Sequence, residues 1–442
     1  MLQSETVKKY DTYKDSGIEW IGEIPQEWNR TKLKRLLSTP ITDGPHETPE
    51  LLDDGIPFLS AEAVKNNKLN FDLKRGYISP EEHLRFCKKC KPQLNDIFMI
   101  KSGATTGNVA IVDTMEEFSI WSPLALIRAD ENILYFKYLF YYLQSYVFKN
   151  QVELFWSYGT QQNIGMEVLG NLYIAFSKTA IEQQQIAEYL DKKCGEIDRV
   201  VETEKSVIEK LKEYKQSIIT EAVTKGLDKS TPLKDSGIEW IGKIPQHWET
   251  CKLLKLYKER KCKNKGNIET NVLSLSYGNI KKRNVENNMG LLPESFETYN
   301  IIVPDNIVLR LTDLQNDHRS LRCGLVKEQG IITSAYVTLE KKLDNISSNY
   351  YYRLLHTFDI MKGFYGMGDG VRQNLKYDGE LCNLLVVRPP YAEQQQIAEY
   401  LDNKCSEIDK AIADKEQVIE KFTEYKKSLI YECVTGKRKV AD

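Results

Sequence analysis

The sequence predicts a mixed α/β fold that is built twice, as two tandem domains that are each followed by a long helix. The phrase DSGIEWIGEIPQEW at residues 15–28 returns, with two changes, as DSGIEWIGKIPQHW at residues 235–248. In the same way, EQQQIAEYLDKKCGEID at 182–198 returns as EQQQIAEYLDNKCSEID at 393–409. The residues between the two phrases hardly match. Solenoid units span roughly 20–50 residues, so a repeat of this length describes whole domains with one frame and different contents.

The duplicated phrases set the predicted boundaries, because one opens each domain and the other opens each helix. Gly226 and Gly436 are expected to end the two helices. The predicted division is a first domain at 1–178 with its repeated segment at 15–28, a helix at 179–226, a second domain at 227–389 with its repeated segment at 235–248, a second helix at 390–436, and a tail at 437–442.

A coiled-coil seam runs along both predicted helices. A 4–3 spacing that starts at Leu190, and again at Leu401, selects an apolar residue or cysteine at eight of ten positions. Matching seams in one chain predict that the helices pack on each other as an antiparallel coiled coil with pseudo-twofold symmetry. The seam residues used below are Leu190, Ile197, Glu204, Leu211, Ile218, Leu401, Ile408, Lys415, Phe422 and Leu429.

Two of these seam positions carry opposite charges. Glu204 and Lys415 are repeat-equivalent, and each lies near the middle of its helix. Under pseudo-twofold symmetry they are predicted to approach each other close to the axis. The alternative is that both side chains are merely exposed at an imperfect seam.

Short β-type runs and aromatic helical stretches fill both unlike segments, which favours mixed α/β domains. The predicted strands are 96–100, 109–112 and 124–127 in the first domain, and 306–309, 324–326 and 336–339 in the second. The aromatic helical stretches are 135–148 and 350–361.

The composition is that of a soluble globular protein, with 41% hydrophobic and 28% charged residues. The first 17 residues contain no apolar stretch, so no signal peptide is expected. Nine cysteines lie scattered along the chain without the spacing of a disulfide scaffold. This usage favours a reducing, cytoplasmic environment.

The distribution of charge is more informative than the net charge of −2. Residues 252–283 hold ten basic residues and only two acidic ones, and smaller basic clusters lie at 30–35 and 85–91. Basic patches on the unlike segments are consistent with contact to nucleic acid. A solvated charged face would have the same composition, so this pattern alone leaves both interpretations open.

A search for catalytic motifs is negative. The chain has no GxxxxGK[ST] phosphate loop, no HExxH and no GxSxG. The CxxC at 87–90 has no second pair, whereas structural zinc normally needs four ligands. Arg388-Pro-Pro-Tyr391 resembles an amino-methyltransferase motif, but it has arginine where a hydrogen-bond acceptor is needed. The sequence therefore predicts no catalytic site and no metal site.

Several polar loops could instead contact DNA. Residues 42–49 (TDGPHETP) offer short donors and acceptors for base edges or backbone, and 101–107 (KSGATTG) offers amides and hydroxyls for phosphates. Arginines could read guanine and glutamines adenine. Inert surface loops, a hairpin turn and salt bridges are the competing explanations. The candidates are Asp43, Gly44, His46, Thr48, Lys101, Ser102, Thr105, Thr106, Gln161, Gln162, Lys281, Lys282, Arg283, Arg310, Arg322, Arg372 and Gln373.

The order of these motifs closely resembles that of the specificity (S) subunits of type I restriction-modification systems, over essentially the whole chain. The resemblance rests on DSGIEWIGEIPQEW and its second copy, on EQQQIAEYLD at both helix openings, and on DGPHETP and IKSGATTGN in the first domain. Any one motif would be moderate evidence, but their order together with the duplication is strong evidence.

The resemblance implies a non-catalytic, DNA-binding subunit of bacterial defence. Two target-recognition domains would each read one half of a bipartite double-stranded DNA site, and the coiled coil would set the spacer and dock two methylation (M) subunits. Restriction (R) subunits would join the full complex. S-adenosylmethionine, ATP and Mg²⁺ are expected in the partner subunits, with no cofactor and no membrane contact in this chain.

The second domain departs from the family pattern of the first. It has no DGPHETP, and IVLRLTDLQND replaces IFMIKSGATTGN, so the two domains are expected to read different half-sites. The alternatives are a stand-alone DNA methyltransferase or restriction enzyme, which lacks its cofactor motif here, and a coiled-coil adaptor, which would not need two divergent domains. One sequence carries no map from loops to bases, so the target itself is not predicted.

Overall fold

A computed structural model of the chain describes residues 7–158, 162–283, 295–314, 321–367 and 374–440. The chain forms two compact units, each with its own large hydrophobic core. The first unit is Met1–Lys205 with Glu416–Asp442, and the second is Ser206–Lys415.

The first unit contains many short strands. Strands β4, β12, β9, β10, β7 and β6 form the main sheet in that order, and β11, β5 and β8 form a smaller sheet. The strands are β1 (Tyr13–Asp15), β2 (Glu23–Pro25), β3 (Asn29–Lys32), β4 (Thr42–Asp43), β5 (Ile56–Leu59), β6 (Val64–Lys65), β7 (Lys68–Leu69), β8 (Gly76–Ile78), β9 (Ile97–Ile100), β10 (Val109–Ile111), β11 (Ser119–Ile120), β12 (Leu124–Ile127), β13 (Ser157–Tyr158), β14 (Gln162–Asn163) and β15 (Tyr173–Phe176).

The centre of the main sheet is buried at every position of β9 and β12. Both strands are continuous apolar runs, as expected for strands that are covered on both faces. Ala125 of β12 lies opposite Met99 on one side and opposite Asp43 of β4 on the other. This register places Asp43 at the edge of the main sheet, where the 42–49 loop begins.

The helices of the first unit pack a set of aromatic side chains into the core. Tyr138 is fully buried, and its hydroxyl oxygen lies 2.9 Å from the carbonyl oxygen of Ala175 and 2.8 Å from that of Val434. The helices are α1 (Pro80–Cys87), α2 (Phe136–Gln144), α3 (Tyr146–Phe155), α4 (Met166–Asn171) and the long α5 (Ala180–Lys225), whose second half belongs to the second unit.

The second unit repeats this plan with different loops. Strands β19, β26, β23 and β24 form its largest sheet in that order. Its strands are β16 (Leu233–Asp235), β17 (Lys243–Pro245), β18 (Glu249–Lys252), β19 (Tyr257–Glu259), β20 (Leu273–Ser276), β21 (Asn279–Lys282), β22 (Asn300–Ile302), β23 (Ile307–Leu309), β24 (Cys323–Leu325), β25 (Gly330–Ile332), β26 (Val337–Lys341) and β27 (Leu385–Arg388). Its helices are α6 (Ser348–Ile360) and the long α7 (Tyr391–Val434), which ends in the first unit.

Each unit contains contacts that correspond to contacts in the other unit. Leu309 of β23 lies opposite Val337 of β26, as Met99 lies opposite Ala125 in the first unit. Tyr350 of α6 is fully buried, and its hydroxyl donates to the carbonyl oxygen of Val223 at 2.6 Å. Tyr350 therefore does for the end of α5 what Tyr138 does for the end of α7.

The duplicated helix openings attach each aromatic helix to a long helix. The side-chain oxygen of Gln183 accepts a hydrogen bond from the backbone N–H at the start of α2, and that of Gln394 does the same at the start of α6. Asp191 and Asp402 each accept two more hydrogen bonds from side chains of α2 and α6, respectively. The repeated phrase is thus used twice for one structural task.

Glycines end both long helices. α5 stops directly before Gly226 and α7 stops two residues before Gly436, and both glycines have a positive φ, of 76° and 71°. The left-handed conformation favours glycine because it has no Cβ. At Gly436 the need is stricter, since a Cβ there would lie 2.3 Å from Cδ of Pro25.

These elements confirm the predicted mixed α/β fold and its two long helices. Within the described ranges, no helix combines the length and the low polarity that a membrane span requires.

Candidate nucleic-acid interface

The 42–49 loop of the first unit is fixed at its start by a close backbone approach. A Cβ on Gly44 would lie 1.9 Å from the carbonyl oxygen of Ile120, so the loop can pass here only with glycine. Ser122 donates its N–H to the carbonyl oxygen of Pro45 at 3.1 Å. Beyond this point His46 and Thr48 are exposed. The loop therefore leaves the sheet along a defined path with its polar side chains at the surface.

Asp43 is the buried centre of this region. Its side chain is fully buried, and Nζ of Lys89 lies 2.5 Å from Oδ1. Nζ of Lys101 lies 3.1 Å, and Nε2 of His46 3.2 Å, from Oδ2. Burial alone would raise the pKa of the Asp43 carboxyl, but the bonds from Lys89 and Lys101 outweigh it and hold that pKa below its ordinary value. We call Asp43, His46, Lys89 and Lys101 the Asp43 cluster.

The loop at residues 101–107 joins the Asp43 cluster to strand β14. Lys101 accepts the N–H of Ile164 with its carbonyl oxygen, and Gly103 donates its N–H to the carbonyl oxygen of Gln162. The hydroxyl of Thr106 donates back to Gly103 at 2.7 Å. Ser102 forms a bridge to strand β14 and is half-buried, whereas Thr105 is exposed. The structure thus brings the two predicted loops and Gln162 onto one surface.

A cavity of about 420 Å³ opens beside the Asp43 cluster. It is lined by Pro45, His46, Glu47, Arg85, Phe86 and Lys89. Arg85 pairs with Glu47 at 2.9 Å, and its guanidinium lies 4.9 Å from the centre of the Phe86 ring. The cationic groups of Arg85 and Lys89 suit contact with a phosphate.

A buried arginine organises the corresponding loop of the second unit. Arg322 is fully buried, and its Nη1 donates to the carbonyl oxygens of Arg310 at 3.0 Å and Thr312 at 2.9 Å. Its Nε lies 3.3 Å from the hydroxyl of Tyr365. This burial contradicts the hypothesis that Arg322 reads guanine, because its donors point at the protein's own backbone.

The acid of the Asp43 cluster is replaced by a base in the second unit. If the pairing of β19 with β26 is continued by two residues, Lys261 falls opposite Val337, where the first unit has Asp43 opposite Ala125. The N–H of Arg260 donates to Thr338, which supports this register. Lys261 is exposed and lies 2.7 Å from a carboxylate oxygen of Glu259. The same scaffold position therefore carries opposite charge in the two units.

The other basic candidates of the second unit lie on a surface hairpin. Strand β21 pairs with β20, and its Lys281 and Lys282 are exposed while Arg283 is half-buried. Arg310 follows β23 and is also half-buried. Gln161, Arg372 and Gln373 lie outside the described residues.

The predicted seam positions are withdrawn from solvent in both long helices. Each of its ten named positions is buried or half-buried. In the first unit Nζ of Lys426 lies 2.7 Å from both carboxylate oxygens of Asp198, and in the second Nζ of Lys215 lies 2.6 Å from both of Asp409. The two pairs are repeat-equivalent, at an offset of 211 residues.

Sequence reasoning missed Lys89 as a site residue. The sequence shows only a basic cluster at 85–91. Nothing in its local pattern indicates that Lys89 contacts Asp43, which lies 46 residues earlier. Among the described residues no three His, Cys, Asp or Glu side chains form a group that could hold a metal ion.

Comparison with known proteins places this surface in context. Residues 25–213 match the family model described as "Type I restriction modification DNA specificity domain". This match covers less than half of the chain and agrees with the resemblance that the motifs indicate.

One solved structure shares the fold at low sequence identity, and two others align with lower scores. A chain from a study of complex assembly and conformational transition of the type I R-M system aligns with a TM-score of 0.67 and 12% identity, over 93% of this chain and 98% of that one. The HsdS subunit from Thermoanaerobacter tengcongensis aligns at 0.49 and 13%, over 93% and 98% of the two chains. The type I S subunit from M. genitalium aligns at 0.38 and 16%, over 92% and 96%.

Proposed function

We propose that the chain is a member of the type I restriction-modification specificity family and acts as the DNA-recognition subunit of such a system. The family match over residues 25–213 carries this proposal. The second unit extends it to the rest of the chain, because its sheet register and its buried tyrosine repeat those of the first. The chain itself is non-catalytic and acts in the bacterial cytoplasm, where its DNA target lies.

Each unit carries one target-recognition domain and reads one half of a bipartite site. The frames of the two domains correspond, whereas their surface loops differ in charge at the position of Asp43 and Lys261. Different half-sites follow from different loops on one scaffold. The domain boundaries of this proposal are those predicted from the repeats, 1–178 and 227–389.

Basic side chains supply affinity and the exposed loops supply discrimination. Lys281, Lys282 and Arg283 contact phosphates, which gives salt-dependent and sequence-independent binding. His46 of the Asp43 cluster is exposed, as are Thr48 and Thr105 of the two loops that carry the cluster, and these three side chains contact base edges. Each good base contact contributes roughly 1–3 kcal/mol of discrimination.

The long helices form an antiparallel coiled coil with pseudo-twofold symmetry. The Lys426–Asp198 and Lys215–Asp409 pairs support this, since each joins the early part of one helix to the late part of the other. Glu204 and Lys415 then meet near the axis. Cysteines placed at positions 204 and 415 should cross-link under mild oxidation, and failure to cross-link in the folded chain would count against the arrangement.

The coiled coil docks two methylation subunits, and restriction subunits join the full complex. S-adenosylmethionine, ATP and Mg²⁺ act in those partners. Incubation of the purified chain with labelled S-adenosylmethionine and DNA should transfer no label until methylation subunits are added. Transfer by the chain alone would favour a stand-alone methyltransferase, whereas complex formation without sequence-specific DNA protection would favour an adaptor.

Methylome sequencing tests the proposal directly. A host that expresses this chain with its methylation subunit should show one bipartite methylated motif with a fixed spacer, and this motif should be absent without the chain. A continuous motif, or one that persists without the chain, would contradict the proposal.

The coiled coil also acts as a ruler for the spacer. Rigidly joined domains gain from simultaneous binding only where the half-site separation fits their geometry. Four residues inserted into each helix add about 6 Å, so the preferred spacer should lengthen while both half-sites stay the same. An altered half-site with the old spacer would show that the ruler idea is wrong.

A further inference from the structure

We propose that Asp43 is a positioning residue for the first half-site: its buried carboxylate holds Lys89, Lys101 and His46, and so raises sequence discrimination without raising general affinity for DNA. The inference rests on the proposed function, because it assigns a role within the first recognition domain.

The geometry of the Asp43 cluster is that of a built site. Its four members come from three separate segments, namely the 42–49 loop, the residues after α1 and the end of β9. Asp43 is fully buried, whereas Lys89 keeps 48% and His46 69% of its side-chain surface exposed. A buried acid thus fixes the terminal nitrogens of Lys89 and His46, while the rest of these two side chains is largely exposed to solvent.

The backbone around Asp43 is held on both sides. Asp43 pairs with Ala125 in the sheet, and Gly44 passes against Ile120 with no room for a side chain. Nζ of Lys89 also lies 3.1 Å from the carbonyl oxygen of Gly44. Displacing the carboxylate would therefore release the surface side chains while the strand below them stays in place.

The charge of Asp43 separates this role from a contribution to affinity. An acid beside two lysines lowers the attraction of this surface for phosphate, so it works against general DNA binding. Its benefit is order, because held side chains lose less conformational entropy when they meet their bases. Removal of the acid should therefore weaken discrimination and strengthen sequence-independent binding, two effects of opposite sign.

The second unit provides an internal reference. Lys261 stands at the position of Asp43, and Leu311 follows Arg310 where Lys101 follows Ile100. The positions of Asp43 and Lys101 are thus occupied by a lysine and a leucine in the second unit. The effect of changing Asp43 should be confined to the first half-site.

The experiment compares Asp43→Asn with wild type in the full complex with methylation subunits. The control is Asp53→Asn, which makes the same charge change at an exposed acid of the same unit. Binding is measured by fluorescence anisotropy over a range of salt concentrations. The four duplexes carry the site from the methylation map, that site altered in the first half, the site altered in the second half, and no site.

For Asp43→Asn we expect first-half discrimination to fall by about tenfold, the worth of one lost base contact. Second-half discrimination should be unchanged. Binding to the duplex without a site should tighten, and its salt dependence should steepen by about one unit as freed lysines meet phosphates. Asp53→Asn should leave both discrimination ratios as they are in the wild type.

Three results would overturn the inference: unchanged first-half discrimination, equal loss for both half-sites, or weaker binding to the duplex without a site. If Asp43→Asn fails to fold, Asp43→Asn with Lys101→Met removes the buried acid and one of its partners together. This double variant keeps the net charge of the wild type, so the two discrimination outcomes decide the test and no tightening on the duplex without a site is expected. Absence of any discrimination by wild type would instead contradict the proposed function.

Discussion

A buried acid, Asp43, organises the Asp43 cluster of the first unit. A buried base, Arg322, organises residues 310–313 of the second unit, which we call the Arg322 loop. In the first unit a buried carboxylate contacts two lysines and a histidine at 2.5–3.2 Å, and in the second a buried guanidinium contacts backbone carbonyl oxygens at 2.9–3.4 Å. A carboxylate can orient side chains and leave them at the surface, whereas a guanidinium bound to carbonyls fixes the path of the chain. One scaffold therefore supports a loop organised around held side chains in the first unit and a loop organised by a held backbone in the second.

The largest expected effect comes from breaking the Arg322 loop. Arg322→Met leaves several buried carbonyl oxygens without a donor, so the free energy of unfolding should fall by roughly 3–5 kcal/mol. Arg322→Lys keeps the charge but not the forked geometry, so its free energy of unfolding should lie between those of Arg322→Met and the wild type. Urea denaturation measures the loss, and hydrogen exchange should localise it to the second unit. Equal midpoints for Arg322→Met and wild type would show that the loop is held by other contacts.

The second expected effect is a pH dependence of stability that comes from His356 in helix α6 of the second unit. Burial, with Arg353 and Lys215 nearby, lowers the pKa of His356 from its ordinary value of 6.5 to about 4. Above pH 6.5 neither the folded nor the unfolded state is protonated, so this stability is complete. As the pH falls from 6.5 towards 4 the unfolded chain takes up the proton first, and up to roughly 3 kcal/mol should be lost.

The matched control for His356 comes from the first unit. Tyr138 and Tyr350 correspond at an offset of 212 residues, so His356 corresponds to Gln144. His356→Gln should remove the drop in stability between pH 6.5 and 4 that thermal unfolding measures in the wild type. If both proteins lose stability equally over this range, the proton enters elsewhere.

The third effect tests the close approach on which the Asp43 cluster depends. Gly44→Ala places a Cβ 1.9 Å from the carbonyl oxygen of Ile120, and the forced backbone shift should cost roughly 1–3 kcal/mol. Gly195→Ala is the matched control, because a Cβ there meets nothing within 4 Å in the middle of helix α5. This control should gain up to about 1 kcal/mol from helix propensity. Denaturation midpoints that move in the same direction would refute the contrast.

The frame of the molecule could be predicted from the sequence, and the organisers of its loops could not. The 4–3 seam is a local pattern and the duplicated phrases are visible in the sequence. Both long helices and the glycines that end them could therefore be predicted. The Asp43–Lys89 pair depends on a sheet register that joins residues far apart in the chain. The sequence offers Arg322 only as one of several arginines that could contact DNA, because its carbonyl partners carry no signature in the side-chain sequence.

The smallest effect concerns the helices, where the two units are expected to agree. Asp198–Lys426 and Asp409–Lys215 have similar geometry, and their carboxylates are 61% and 58% exposed. Exposed pairs of this kind contribute roughly 0.2–1 kcal/mol. Double-mutant cycles with alanine at each pair should therefore give small coupling energies that match between the units and shrink with salt. Unequal coupling energies would mean that the two units differ in their helices as well as in their loops.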